Sequence, residues 1–364
     1  MPRRLLRVVK ASLLVAMLGV TPAAASGAPR RSSVGRLANR CFAIRSGGRF
    51  VAPAGAGGGY RVSAGSIAAG AARFYLKPTG LGTYLLYDQR AKLMSVAGNS
   101  GAVGRVSDAG PRTEWELGFG APTIRSALNR RFLSAKTGSG TLMLASAIGP
   151  AAFSFAPTAG CTPFPEAQVG ATGAPSNATN RDGTVFGFVD AHLHITANMR
   201  AGGRVIYGEP FDRFGIAAAL GQDAKYHGAN GGLDYTGNLL RGATPTGMHD
   251  THGWPTFRGW PVYNTQTHQQ TYYVWLQRAW EAGERLVVAQ TVDDQALCLL
   301  EPHRNDGCNE TRSIKAQIRA LRELQNYVDA QNGGPGQGWF RLVYSPEQAR
   351  RVIKRGKLAV IIGI

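Results

Sequence analysis

Two domains of different class are predicted along this chain: an all-β domain, then an α/β domain with a parallel sheet. Three observations carry the prediction. From Arg40 to Cys161 the sequence reads as short strands punctuated by Gly, Asn, Asp and Ser, and a pattern recurs three times at a spacing of about 40 residues. From Gly183 to Ile364, apolar runs alternate with amphipathic helical patterns, as in βαβ units. Between them, residues 162–182 are rich in Pro, Gly, Ala, Ser and Asn and poor in large apolar side chains, which marks a linker.

The chain opens on a processing signal. Arg3, Arg4, Arg7 and Lys10 precede an apolar run from Ala11 to Val20, and Ala23-Ala24-Ala25 offers small residues for cleavage. The run is shorter than the roughly 20 residues needed to span a bilayer, and no later run reaches that length. Residues 1–25 are therefore expected to direct export to a secreted or periplasmic location, leaving no transmembrane segment. Residues 26–39, rich in Arg, Ser and Gly, are expected to be disordered. Hydrophobic residues make up 44% of the chain, enough for a sizeable core. The formal charge is +19, but the basic residues are scattered rather than gathered on one stripe. Such a surface suits solubility or adhesion to an anionic cell envelope, and specific nucleic-acid recognition is not expected.

In the β-rich domain, Phe50, Leu93 and Phe132 each follow a basic turn. Phe74, Trp115 and Phe153 each begin a triplet with apolar residues at alternate positions. Three such units resemble a β-trefoil, whose chain ends lie side by side. The four cysteines, Cys41, Cys161, Cys298 and Cys308, suit disulfides in an oxidising compartment. Of the three possible pairings, Cys41 with Cys161 and Cys298 with Cys308 are favoured. The first pair brackets the repeat region and the second lies within one loop. Ricin-type lectins of the trefoil group carry a Gln-x-Trp in each repeat, and these repeats have none, so the domain is expected to be structural or adhesive as readily as sugar-binding.

In the second domain, strands are predicted at Val185–His194, Arg285–Thr291, Trp339–Tyr344 and Leu358–Ile362. Helices are predicted at Thr267–Gly283, Ser313–Asp329 and from Ser345, where an N-cap serine precedes a proline at N1. The first strand ends Asp190-Ala191-His192-Leu193-His194. Side chains at i and i+2 leave a strand on one face, so His192 and His194 can hold a divalent metal together, unless they simply face solvent. His249, Asp250 and His252 form a second cluster that can supply metal or substrate contacts, or lie in an exposed turn. Asp293, with Asp294 beside it at a strand end, can face a site or cap a helix. His227, His268 and His303 stand alone.

The run ending in His192 and His194 resembles the first barrel strand of the amidohydrolase superfamily of metal-dependent hydrolases. Gly356–Ile364 is similar to a later strand in the membrane dipeptidase family, where Gly-Ile is followed by a glutamate that bridges two metal ions. The resemblance implies an incomplete (β/α)8 TIM-type barrel over 183–364, with zinc as the expected ion, a metal-activated water and a small amide or peptide substrate. Such a barrel takes about 250 residues, so the chain is expected to be a fragment lacking the later ligands and base, with its last strand at an open edge. The alternative is a non-enzymatic carbohydrate-binding or cell-envelope adhesion protein acting through the trefoil-like domain.

Overall fold

The computed structural model describes residues 34–55, 58–98, 101–118, 123–146, 152–172, 175–260, 264–301, 303–305 and 307–364. The export signal lies outside them. Residues 34–39, expected to be disordered, are ordered: Val34 is buried, Gly35–Leu37 form a 3-10 turn, and the Tyr84 hydroxyl donates to the Val34 carbonyl at 2.8 Å.

The first domain is a single antiparallel system of twelve strands. Its first third holds β1 (Arg40–Ser46), β2 (Arg49–Pro53), β3 (Tyr60–Ala64) and β4 (Arg73–Gly80). Next come β5 (Thr83–Asp88), β6 (Leu93–Ala97), β7 (Ala102–Val106) and β8 (Glu114–Leu117). The last third is β9 (Ile124–Ser126), β10 (Phe132–Ala135), β11 (Leu142–Ala145) and β12 (Ser154–Pro157). The repeat is thus a four-strand unit. β12 pairs with β1, and Cys41 is bridged to Cys161 beside that seam.

One residue from each repeat reaches the centre: Phe74, Trp115 and Phe153 are at most 1% exposed. The indole of Trp115 donates to the Met94 carbonyl at 2.9 Å, so its polar atom is satisfied in an apolar core. Asp88 is buried under the guanidinium of Arg105 (2.6 and 2.9 Å) and the Tyr60 hydroxyl (2.9 Å). Its other oxygen accepts from Arg90 and Lys92 backbone nitrogens and so fixes the turn after β5.

The second region holds a parallel sheet of β13 (Phe188–Leu193), β14 (Glu284–Gln290), β15 (Phe340–Leu342) and β16 (Leu358–Gly363). Its order is β13-β14-β16-β15, which corrects the expected (β/α)8 barrel. A barrel sets each strand beside its successor around a closed ring, whereas here the fourth strand lies between the second and the third and the sheet is open. The last strand is paired on both sides and forms no edge. The edges are β15 and β13, and on β13 Phe188 and Val189 are 66% and 62% exposed.

Helices α4 (Tyr273–Glu281), α6 (Glu310–Gln331) and α7 (Pro346–Lys354) accompany the sheet. α7 begins as its sequence demands, with the Ser345 hydroxyl accepting from Gln348 N and Pro346 in the first turn. α4 starts later than its periodicity suggests. Residues 267–271 stay out of the helix because the chain there bridges laterally, His268 pairing with Tyr207 and Tyr207 exchanging backbone hydrogen bonds with Thr267 and Gln269. Among the described residues between β13 and α4, the α-helices are short: α1 (Ile216–Ala219), α2 (Ala224–His227) and α3 (Tyr235–Leu240). A further short helix, α5 (Gln295–Leu300), carries Cys298, which is bridged to Cys308.

The two sheets share one packed body. The Lys77 ammonium at β4 donates to the Tyr327 hydroxyl of α6 at 2.6 Å, and Gln331 Nε2 donates to the Pro78 carbonyl at 2.9 Å. The linker packs too: Phe164 meets Tyr87 edge-on, and Glu166 accepts from Tyr272 at 2.9 Å.

Candidate functional site

β13 carries its histidines to the carboxyl end of the parallel sheet. The His192 and His194 Nε2 atoms converge to 2.9 Å, and His194 Nδ1 lies 3.2 Å from the Gln290 carbonyl at the end of β14. His192 is exposed and His194 half-buried. Burial lowers the His194 pKa, against the pull of the Gln290 carbonyl and with the repulsion of His192. The pair opens into a cleft of about 310 Å³ lined by Arg200, Gln266, His268, Gln269, Gln270 and Thr271 among others, with no carboxylate in its lining. Asp190, which precedes the pair, turns its carboxylate to the His192 backbone nitrogen.

The other predicted residues scatter. His252 and Asp250 pair with each other at the surface. Asp293 accepts from the Ala201 and Asp294 backbone nitrogens, and Asp294 caps α5 through Leu297 N. His303 is exposed. His249 alone of its cluster turns inward.

There it meets two histidines that stand alone in sequence. Asp223 and His227 sit one turn apart at α2, so both point to the same side. The two loops before α4 add His249 and His268. Around Asp223 Oδ2 lie His268 Nε2 at 2.6 Å, His249 Nε2 at 2.8 Å and His227 Nδ1 at 3.1 Å. Asp223, His227 and His268 are at most 4% exposed. Burial opposes ionisation of Asp223, but hydrogen bonds from the three imidazoles outweigh it and hold the carboxyl far below the usual carboxylate range. The His268 pKa is lowered by burial, against its bond to Asp223. Gly231 makes the packing possible: its φ is +71°, and a Cβ there would lie 2.1 Å from His249 Nδ1. Of this cluster the sequence singled out His249 alone, and for a grouping with Asp250 and His252; Asp223 and His227 carry only an Asp-x3-His spacing, and the two loop histidines carry no periodicity.

A second cleft, about 440 Å³, opens on the twelve-stranded domain between Leu81, Thr83, Glu116, Thr123, Arg125 and Phe132. The Glu116 carboxylate is held by Arg125 and Arg130, and the Arg125 guanidinium lies 5.8 Å from the Phe132 ring centre.

No protein-family model matches the chain, nor does any curated protein. Solved structures with local similarity include a GlcNAcα1-4Gal-releasing endo-β-galactosidase from Clostridium perfringens, 10% identical over 33% of each chain with a TM-score of 0.29. A PSL1a–E64 complex is 15% identical over 32% of this chain and 48% of that one, at 0.28. A mosquitocidal holotoxin is 15% identical over 33% and 17%, also at 0.28. At these scores the alignments assign neither a fold nor a function. The expected membership of the amidohydrolase superfamily, and the likeness to membrane dipeptidases, are overturned. No family model supports them, and the β13-β14-β16-β15 order is not that of their barrel. Two disulfides are formed, and no described helix is long and apolar enough to cross a membrane.

Proposed function

We propose that this protein is an exported, non-enzymatic binding protein that engages glycan or cell-envelope polysaccharide through its twelve-stranded domain. The observation that carries this reading is the Glu116–Arg125–Phe132 cleft. A sugar presents pairs of hydroxyls on its rim and a patch of C–H groups on its face. A carboxylate fixed by guanidinium groups can hydrogen-bond the former, and an aromatic ring beside Leu81 can cover the latter. Scattered positive charge supports attraction to an anionic envelope, an effect that salt screens beyond about 10 Å. The test is binding of the full chain to a glycan array and to purified envelope polysaccharide at low and high salt. Retention at high salt that falls at least tenfold in Phe132→Ala and Glu116→Gln supports the reading. No retention by a folded wild type, or equal retention by both variants, refutes it.

A second reading rests on the converging His192 and His194 Nε2 atoms. Two imidazoles at one cleft mouth suit a weakly held divalent ion, zinc by its affinity for nitrogen, with coordination positions left for a small ligand. This reading is one of metal and ligand binding, and it gives no residue of the cleft a catalytic role. Zinc uptake into the cleft that vanishes in His192→Ala with His194→Ala supports it; uptake unchanged by that pair excludes it.

A further inference from the structure

We propose that Asp223, His227, His249 and His268 form a closed four-ligand site for a first-row divalent cation, zinc by its ligand set, which fastens the loop-rich segment between β13 and α4. This site shares no ligand with the His192–His194 pair, although His268 also borders their cleft.

A carboxylate oxygen offers two lone pairs, yet three ring nitrogens crowd Asp223 Oδ2, while the buried Oδ1 of the same carboxylate has no partner. The buried Nδ1 of His268 is likewise without one. Buried polar groups are ordinarily satisfied, and a network shaped only by hydrogen bonds would spread its donors over both oxygens. A cation among the four side chains accounts for the crowding, since ligand atoms gather on one point rather than on one another.

The geometry has the right scale. The four ligand atoms all lie within 4.8 Å of one another. Bonds of about 2.0–2.1 Å in a tetrahedron place ligand atoms about 3.3 Å apart, so small side-chain movements suffice. The imidazole rings meet edge-to-face in every pairing, at 75–87° with centres 5.1–5.5 Å apart. They thus approach from three separate directions, as ligands of one ion do.

An outer layer of partners is present as well. His227 directs Nε2 to the Val205 carbonyl at 3.3 Å; a hydrogen there leaves Nδ1 as the bare ligand atom. Asp234 Oδ2 stands 3.7 Å from His249 Nδ1 and 3.9 Å from His227 Nδ1, held by the Thr267 hydroxyl at 2.8 Å. Its other oxygen caps α3 through Gly237 N. Arg241 donates to His249 Nδ1 at 2.9 Å, which places the His249 hydrogen on Nε2. Ion binding through Nε2 therefore displaces that hydrogen, and the Nδ1–H so created turns from Arg241 to Asp234, giving a carboxylate–histidine–metal chain.

Three nitrogens and one oxygen, with no thiolate, suit zinc. Four protein ligands in a buried setting leave no open position, so the ion is structural rather than catalytic. Its position agrees, because it joins α2 to two loops in a region whose helices span only four to six residues. Metal binding there contributes folding free energy that the short elements lack.

The test uses the full chain, stripped with a chelator and reloaded with Zn²⁺, with Co²⁺ as a spectroscopic probe. One tightly held equivalent is expected, with a tetrahedral Co²⁺ spectrum, both in wild type and in the His192→Ala/His194→Ala variant. His249→Ala should weaken it by at least 100-fold, and Asp234→Asn by about 10–100-fold. His249→Cys should keep the ion and add a thiolate-to-cobalt absorption, a signal that a purely structural role for His249 cannot produce. The proposal is overturned if wild type retains no stoichiometric ion. It is equally overturned if the ion leaves with the His192/His194 pair and stays in His249→Ala, or if the cysteine variant shows no thiolate band.

Discussion

Replacing Lys77 by Met tests how the twelve-stranded domain is joined to α6. The ammonium is buried, donates to the Tyr327 hydroxyl at 2.6 Å and the Pro78 carbonyl at 3.0 Å, and lies 4.7 Å from the Tyr327 ring centre. Burial lowers its pKa from 10.5 to about 8, against the attraction of Glu166 and Asp212. A base depressed in the folded state has released a proton that the unfolded chain still holds across this window, so stability must rise with pH within it. At 1.36 kcal/mol per tenfold change, the whole window corresponds to about 3 kcal/mol, of which about 2 kcal/mol falls between pH 7.5 and 9.5. Above pH 10 the trend reverses, since burial raises the Tyr60 and Tyr84 hydroxyls and unfolding then releases their protons. Urea unfolding of the full chain at pH 7.5, 8.5 and 9.5 should show this rise in wild type and not in Lys77→Met. The single variant should be less stable at pH 7.5, because Glu166 loses its counter-charge, while Lys77→Met with Glu166→Gln should recover most of the loss. A flat wild-type profile, or the same rise in both proteins, refutes the reasoning.

Other perturbations probe separate parts of the fold. Burial, with repulsion from Asp190, raises the Glu284 pKa from 4.5 to about 7. The folded state therefore holds a proton that the unfolded chain has lost, stability falls as pH rises through that window, and Glu284→Gln should remove the fall and raise Tm at pH 8; an unchanged slope contradicts this. Trp115→Ala empties the centre of the first domain and should lower stability by about 3–5 kcal/mol in urea titrations, whereas a loss below about 1 kcal/mol would show that the repeats do not share one core. Removing the Cys41–Cys161 bridge frees a sequence separation of 120 residues. Chain entropy bounds the effect at about 5 kcal/mol, and the docked α6 should hold the measured loss below that bound in non-reducing denaturation; a larger loss would show that α6 does not restrain the domain.

Much of the local structure was legible from local rules. The recurring aromatic positions Phe74, Trp115 and Phe153 marked the repeat, since alternation places such residues inside a sheet. Ser345-Pro346 announced α7 through capping chemistry, and the apolar runs at Arg285 and Leu358 marked buried parallel strands. The i, i+2 spacing of His192 and His194 placed them on one side of β13. Each signal lies within a few residues, so the backbone alone enforces it.

Tertiary structure decided what those pieces build. βαβ alternation is shared by closed barrels and open sheets, and only strand order separates them; the insertion of Leu358–Gly363 between its two predecessors is a long-range choice that no periodicity encodes. His268 looked like an isolated polar residue and His249 like part of a cluster with Asp250 and His252, because loops carry no repeating face, and it is the fold that brings both to Asp223 and His227 on α2. The residue types that can do chemistry were written in the chain, but which of them meet depends on backbone paths through irregular segments, where Gly231 and the lateral pairing of Tyr207 with His268 set the approach.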